Sequence, residues 1–432
     1  MRICIYEDQQ TANLNPLTLT RPASDLLCGL DSLGAKQSRY FAAEVTGYLC
    51  RPSLAEYLRT REPDCPVNDP AWLRSAPTVL VNARWLPPTP TGLRLAPATR
   101  RLFASGPSIG TCNGELAFAV LDSRRLQGVA PSTVDDCLAD LMQSLQGREA
   151  GGFLIRRPWD LLNHNPAQLA RDFATLCPSH EVGHHPNGFA LVGPADRLFV
   201  HPSAKIDPMV VADTSKGPVW IGPETAISAF TRLEGPCAIG AGTHLLGAKI
   251  RAGTTLGPQC RVGGEVEASI VQGFTNKYHE GFLGHSYVGE WVNLAAGTIT
   301  GDLRFDYQPI HMKSNGTTIP TNAIKLGSII GDHVRTGLGV LLDCGTTIGP
   351  FASLLPTGQL APRDVPAFSR CGPNGITPMS DVEVILKSAA IAMSRRGKEM
   401  LPSLEALYRS IGSPPAVRPL SIVPSLKVRL SA

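Results

Sequence analysis

Four side chains capable of chemistry stand close together in the stretch NKYHEGFLGHSYVGEWVNLAAGT (276–298): Lys277, His279, His285 and Asn293. An imidazole titrates near neutrality and can take a proton from an attacking nucleophile. The Gly-bearing turns around 281–284 and 295–297 offer backbone N–H groups that could steady an oxyanion. A histidine in a surface loop is the plainer reading of the same residues. A second histidine group, HEVGHH (180–185), looks metal-like, but its Pro/Gly-bearing surroundings favour a solvated loop.

The stretch interrupts a strong rhythm. From about residue 196 the chain runs in sixes, as IGPETA, ISAFTR, LEGPCA and IGAGTH, then IRAGTT, LGPQCR and VGGEVE after a slip. It resumes as IGDHVR, TGLGVL, LDCGTT and IGPFAS. An aliphatic residue leads most hexads, often followed by Gly, which is the pattern of a parallel β-helix whose coils bury a core only by stacking. Residues 276–298 are where polar, titratable groups replace the aliphatic leads.

Before the repeat, residues 1–195 read as an α/β domain. RICIY and TVLVNA (78–83) suit buried strands, and STVDDCLADLMQSLQ (132–146) suits a helix capped by Ser132. Residues 196–360 form the coil and 361–432 an extension. There SDVEVILKSAAIAMSRRGKEM predicts a helix with a capping box of Ser380 and Glu383, and the tail beyond Gly412 reads as irregular. The 432 residues carry a net charge of +4 without long runs, which asks for neither nucleic acid nor a membrane surface. MRICIYEDQQ has no signal-peptide core and no apolar run reaches spanning length, so a soluble cytoplasmic protein is expected. Eleven scattered cysteines without a C-x-x-C pair read as reduced thiols.

The coil resembles the hexapeptide acyltransferase superfamily, left-handed β-helices that usually assemble as trimers with sites between subunits. An α/β first half before such a coil is the layout of the bifunctional N-acetylglucosamine-1-phosphate uridyltransferase/glucosamine-1-phosphate acetyltransferase family. SYVGEWVNLAAGTIT is similar to that family's N-V-N-I-G-A-G-T-I-T stretch, and NPLTLTRP (15–22) and RPWDLLNHN (157–165) resemble a divergent branch of it. The resemblance implies acetyl transfer from acetyl-CoA to an aminosugar 1-phosphate, with His279 as the base. It places Asn293 on the substrate, Ala296 along coenzyme A, Arg251 on the sugar phosphate and Tyr307 at a further substrate contact. His285 is then structural or a secondary contact. Two positions depart from the family: Phe282 stands for its tyrosine and Ser269 for its lysine. Lys277 and Lys325 are the candidate replacement cations, for substrate and coenzyme respectively. Zinc held by His279, His285, His311 and His333, as in the γ-class carbonic anhydrases, is the rival reading of the coil.

For the first domain the resemblance implies transfer of UMP, or another NMP, from an NTP to a sugar 1-phosphate, aided by Mg²⁺. The family's Gly-rich loop is missing. Thr18, Thr20 and Arg21 could hold phosphates instead, with Lys36 following, while Asn82 stands where the family has its metal-binding aspartate. Asp8 or Asp25 could contribute a metal ligand. A protein with one active domain, or a trimeric sugar-nucleotide-binding scaffold without catalysis, is the alternative.

Overall fold

RICIY forms β1 (Arg2–Tyr6), the second strand of a six-stranded sheet ordered β2-β1-β3-β5-β4-β6. The others are β2 (Val45–Leu49), β3 (Thr78–Asn82), β4 (Ser108–Cys112), β5 (Glu115–Leu121) and β6 (Gly147–Glu149). β1 runs parallel to β2 and β3, whereas β5 is antiparallel to β3 and to β4. The computed structural model describes residues 1–88, 106–177, 188–314 and 316–412. The histidine group at 180–185 and the tail beyond Gly412 lie outside them. The helix expected at 132–146 spans Val134–Ser144, but its N-cap is Thr133, without a side-chain cap bond, and not Ser132.

The hexads build the coil that the repeat predicts. Its first rung strand is Ala190–Val192 and its last Ser369–Gly372. Its turns build three faces: face two runs from Lys205–Ile206 to Ser369–Gly372, and face three from Ala190–Val192 to Leu341–Leu342. Face one is a parallel ladder of nine strands from Leu198–Val200 to Asp364–Val365. Its inward residues stack in register as Ile221, Ile239, Leu256, Val271, Val288, Ile330, Ile348 and Val365. All are at most 2% exposed, each contributing about 1.5–3 kcal/mol by burial. Where the hexads slip, the ladder shows a register irregularity between Leu246 and Lys249, with Gly247 at φ 59°. Between the turns at 299 and 328 the chain leaves the coil for an antiparallel hairpin, His311–Ser314 with Thr317–Pro320.

Domain and coil share one core. Ile3, Val81, Trp85 and Leu161 pack in the same cluster as Ile270, Tyr287 and Ile329 of the coil. Polar groups follow the same seam. Asn165 Nδ2 donates to Gly253 O at 2.8 Å, and the Leu27 N–H donates to the Tyr287 hydroxyl at 2.9 Å.

The corner between faces one and two carries an aromatic ladder: Phe274, Trp291, His333, Phe351 and Phe368 succeed one another turn by turn. Successive rings stack, at 4.3 Å for Phe274–Trp291, 6.1 Å for Trp291–His333, 4.7 Å for His333–Phe351 and 4.5 Å for Phe351–Phe368. All five have positive φ, because the corner demands a left-handed residue and ring stacking offsets its cost. The C-terminal helices dock here, Val382–Ser394 and Pro402–Gly412, through Met393, Leu404, Leu407 and Tyr408. The first is capped by Asp381, whose carboxylate accepts from Val384 N, and not by Ser380; Glu383 instead binds Arg409 at 2.8 Å. The second helix was not foreseen.

Burial presses the His333 imidazole down to about 3, against an ordinary 6.5. Between those values the unfolded chain takes up a proton that the folded chain refuses, so this site costs stability as pH falls through that window. His333→Phe should therefore flatten the acid limb of the stability profile between about pH 6.5 and 3.5, followed by urea unfolding.

Candidate functional site

Face three of the coil has two long edges, and the residues nominated from the sequence divide between them. On the edge shared with face two, the corner turn 278–281 carries His279, and the next turn carries Asn293 and Ala296. All three line one open cleft of about 470 Å³, with Tyr278, Leu338 and Arg396 among their neighbours. His279 is exposed, stands edge-on to Tyr278 at 5.1 Å, and has no side-chain hydrogen bond among the described residues. Gly281 is required beneath it: a Cβ there would lie 2.3 Å from Thr298 O.

Lys277 does not reach this cleft. It is 4% exposed, and its Nζ donates to Gly263 O and Gly281 O, both at 2.7 Å, and to His279 O at 3.4 Å. The ammonium thus pins the turn that presents His279. Desolvation lowers its pKa to about 8, against weaker opposition from Glu280 and Glu265. Two expected oxyanion donors are also engaged: Gly284 N donates to Thr300 Oγ1 at 3.0 Å and Gly297 N to Glu280 O at 2.9 Å.

What sequence reading missed is the charge around this cleft. Arg261, Arg395 and Arg396 line it, and none pairs with a carboxylate among the described residues. Arg261 donates to Gly242 O and Cys260 O, both at 2.9 Å, and Arg396 to Asn276 Oδ1 at 2.5 Å. Burial and then the Arg396 charge push the Arg261 guanidinium below its ordinary range. Such unrelieved repulsion favours an anion. The RR pair inside the stretch expected to be helical, just past the observed helix end at Ser394, was the available signal.

The other edge, shared with face one, holds Arg251, Lys325 and Tyr307. Arg251 bonds Glu265 at 3.1 Å and approaches Glu234 and Glu267, while Lys325 lies 3.5 Å from Glu267. Tyr307 sits 68% exposed on the loop leaving the coil. Here His285 Nδ1 meets Asp302 Oδ2 at 2.7 Å. That contact fixes the ring and leaves Nε2 as its second nitrogen. Phe282 lies half-buried on the strand between the two edges, and Ser269 is fully buried, donating to Glu267 O and Leu283 O.

In the first domain the nominated groups face inward. Arg21, 6% exposed, pairs with Asp332 and with Glu290 at 3.1 Å, and Thr20 Oγ1 donates to Asp332 at 2.7 Å. Thr18 Oγ1 bonds Asn15 Oδ1 at 2.9 Å. Lys36 is enclosed by Asp172 and Gln168. Asn82 donates to Asp8 at 2.9 Å, and Arg84 also binds Asp8. Burial opposes the Asp8 charge, yet Arg84 and Asn82 outweigh it and hold its carboxyl below the usual range. Asp25 is engaged by Arg61. These carboxylates therefore do not fit a resident Mg²⁺, and no group of three possible metal ligands occurs among the described residues. The same observation leaves the four coil histidines apart within one chain; His333 is buried in the ladder. None of the eleven cysteines forms a disulfide among the described residues.

Residues 3–180 match the family model described as sugar nucleotidyl transferase. A bifunctional sugar-1-phosphate nucleotidylyltransferase/acetyltransferase of Sulfurisphaera tokodaii is 38% identical over 101 residues, 23% of this chain and 25% of its own. The bifunctional protein GlmU of Synechococcus elongatus is 27% identical over 257 residues, 58% of this chain and 48% of its own. The chain thus spans a quarter of the first relative and about half of the second. Among solved structures, the polySia specific acetyltransferase NeuO aligns over 49% of this chain and 99% of its own at 13% identity, with a TM-score of 0.26. Residues 3–180 are thus similar to sugar nucleotidyl transferases, and parts of the chain are similar to bifunctional sugar-1-phosphate nucleotidylyltransferase/acetyltransferase proteins.

Proposed function

We propose that the protein serves nucleotide-sugar synthesis, its coil transferring acetyl from acetyl-CoA to an aminosugar 1-phosphate such as glucosamine 1-phosphate. The observation that carries this is the cleft at 279–296. It joins a histidine, an asparagine and three arginines that have no carboxylate partner among the described residues, a set suited to the phosphates of coenzyme A beside a proton acceptor. The amine of the sugar attacks the thioester carbonyl, the imidazole takes the amine's proton, and the thiolate of coenzyme A leaves.

The two edges of face three each hold part of the substrate set, so a full site calls for a second copy bringing its other edge. Met209, Phe230 and Leu338 are 61%, 75% and 69% exposed along the His279 corner, which supports a homotrimer packed on this side. The first domain is proposed to transfer UMP, or another NMP, to a sugar 1-phosphate such as N-acetylglucosamine 1-phosphate. Mg²⁺ would enter there with the triphosphate. The absence of a membrane-spanning helix among the described residues accords with a cytoplasmic enzyme.

A second reading of the base has its own support: His285 is oriented by Asp302 and shares its edge with Arg251 and Lys325. With glucosamine 1-phosphate, acetyl-CoA and a thiol reporter, His279→Ala should lower kcat by about 10²–10⁴-fold while His285→Ala costs far less. The reverse order, with Asp302→Asn following His285→Ala, would transfer the role to His285. Arg395→Ala and Arg396→Ala should together raise KM for acetyl-CoA roughly tenfold or more with kcat little changed. Lys277→Ala should lower stability by about 1–3 kcal/mol, read by denaturant unfolding, because it strands carbonyls buried under the corner.

A further inference from the structure

A second cleft, of about 500 Å³, opens between the first domain and the coil's hairpin. It lies beyond the carboxyl ends of β1 and β3. Asp8, just past β1, binds Arg84, just past β3, and Arg84 Nη1 donates to Ile155 O at 3.0 Å, between the cleft residues Leu154 and Arg156. Open α/β sheets take their ligands at that end.

Two features of this cleft point to one kind of ligand. Arg157 lines it half-buried, and no carboxylate pairs with it among the described residues; its partner is the Asn13 amide oxygen at 3.4 Å. Arg156, by contrast, is held by Glu115. The N–H groups just before the helix Pro158–Leu176 are engaged, since Asp160 accepts from those of Arg156 and Arg157 at 2.8 and 2.9 Å. The second feature is a flat platform. Phe153, 40% exposed, stacks on His164 with centroids 4.0 Å apart. Burial holds the His164 imidazole below its ordinary range, so at neutral pH the platform is uncharged. Residues 319–322 of the hairpin close the opposite wall.

We infer that this cleft binds a nucleotide, its base stacked on Phe153 and His164 and its phosphate on Arg157, with the coil's hairpin as the lid wall. A bare phosphate would use only the arginine and a neutral sugar only the platform; a nucleotide uses both, and the volume suits one. The inference rests on the nucleotidyl reading of the first domain and moves its ligand away from the inward-facing Thr20, Arg21, Lys36 and Asn82.

The test is calorimetric titration of the full chain with UTP, UMP, UDP-N-acetylglucosamine and inorganic pyrophosphate, then of Arg157→Glu and Phe153→Ala, with thermal melting to confirm folding. Nucleotide binding by the unaltered protein, weakened at least about tenfold in both variants, and much weaker binding of pyrophosphate, is the expected result. Unchanged nucleotide affinity in both folded variants would overturn this cleft and leave the nucleotidyl reading standing. No nucleotide binding by the unaltered protein would overturn both. Should a variant not fold, hydrogen exchange on the unaltered protein decides: UTP must protect 153–164 and 319–322, and protection elsewhere alone rejects the site.

Discussion

One buried cation holds the two halves of this protein together. Arg21 reaches out of the loop after β1 and ends between Asp332 and Glu290 of the coil, with Thr20 bonded to the same Asp332 carboxylate. Burial alone would discourage its charge; the two carboxylates outweigh that and raise its pKa well above the ordinary value. Asp332 also accepts the Glu290 N–H at 2.8 Å, which ties the anchor into the coil's own ladder. Removing one member of such a pair strands the others in a desolvated seam. Around it the shared apolar core and the Asn165 and Tyr287 bonds fix domain and coil as one body.

That constraint shapes where chemistry can occur. Face one is covered by the first domain, and the corner beside it by the C-terminal helices. The edges of face three stay open, and there the ligands and other copies are proposed to bind. The same arrangement draws the loop's phosphate-type side chains inward, so any nucleotide must look elsewhere along the strand ends. The C-terminal helices then serve two ends: one face caps the aromatic ladder, and the residues following Ser394 extend cations over the cleft of His279.

Much of this was legible in the residues. The hexads gave the coil because an aliphatic stack in parallel register needs one inward residue per rung, and that period survives a slip such as the one at Gly247. β1 and β3 were legible for a similar reason, being short β-branched runs without competing signals. The caps were less so: Ser132 and Ser380 each stand one residue before the true N-cap, and backbone geometry chose Thr133 and Asp381. The site was legible in type and not in grouping. His279, Asn293 and Ala296 came together because they occupy one corner on neighbouring turns. Arg251, Lys325 and Tyr307 went to the opposite edge, since residue counting does not say at which corner a turn places a side chain. The inward fate of Arg21 depended on Asp332, more than three hundred residues away, which no local pattern reveals.

If Arg21 anchors domain to coil through Asp332 and Glu290 and does not hold phosphate, its loss must show in stability and not in ligand binding. Differential calorimetry of Arg21→Ala beside the unaltered chain, with and without UTP, tests it most directly. The expected result is one cooperative transition for the unaltered chain and a loss of about 3–5 kcal/mol in the variant, with stabilisation by UTP retained. An unshifted transition together with abolished stabilisation by UTP would contradict it.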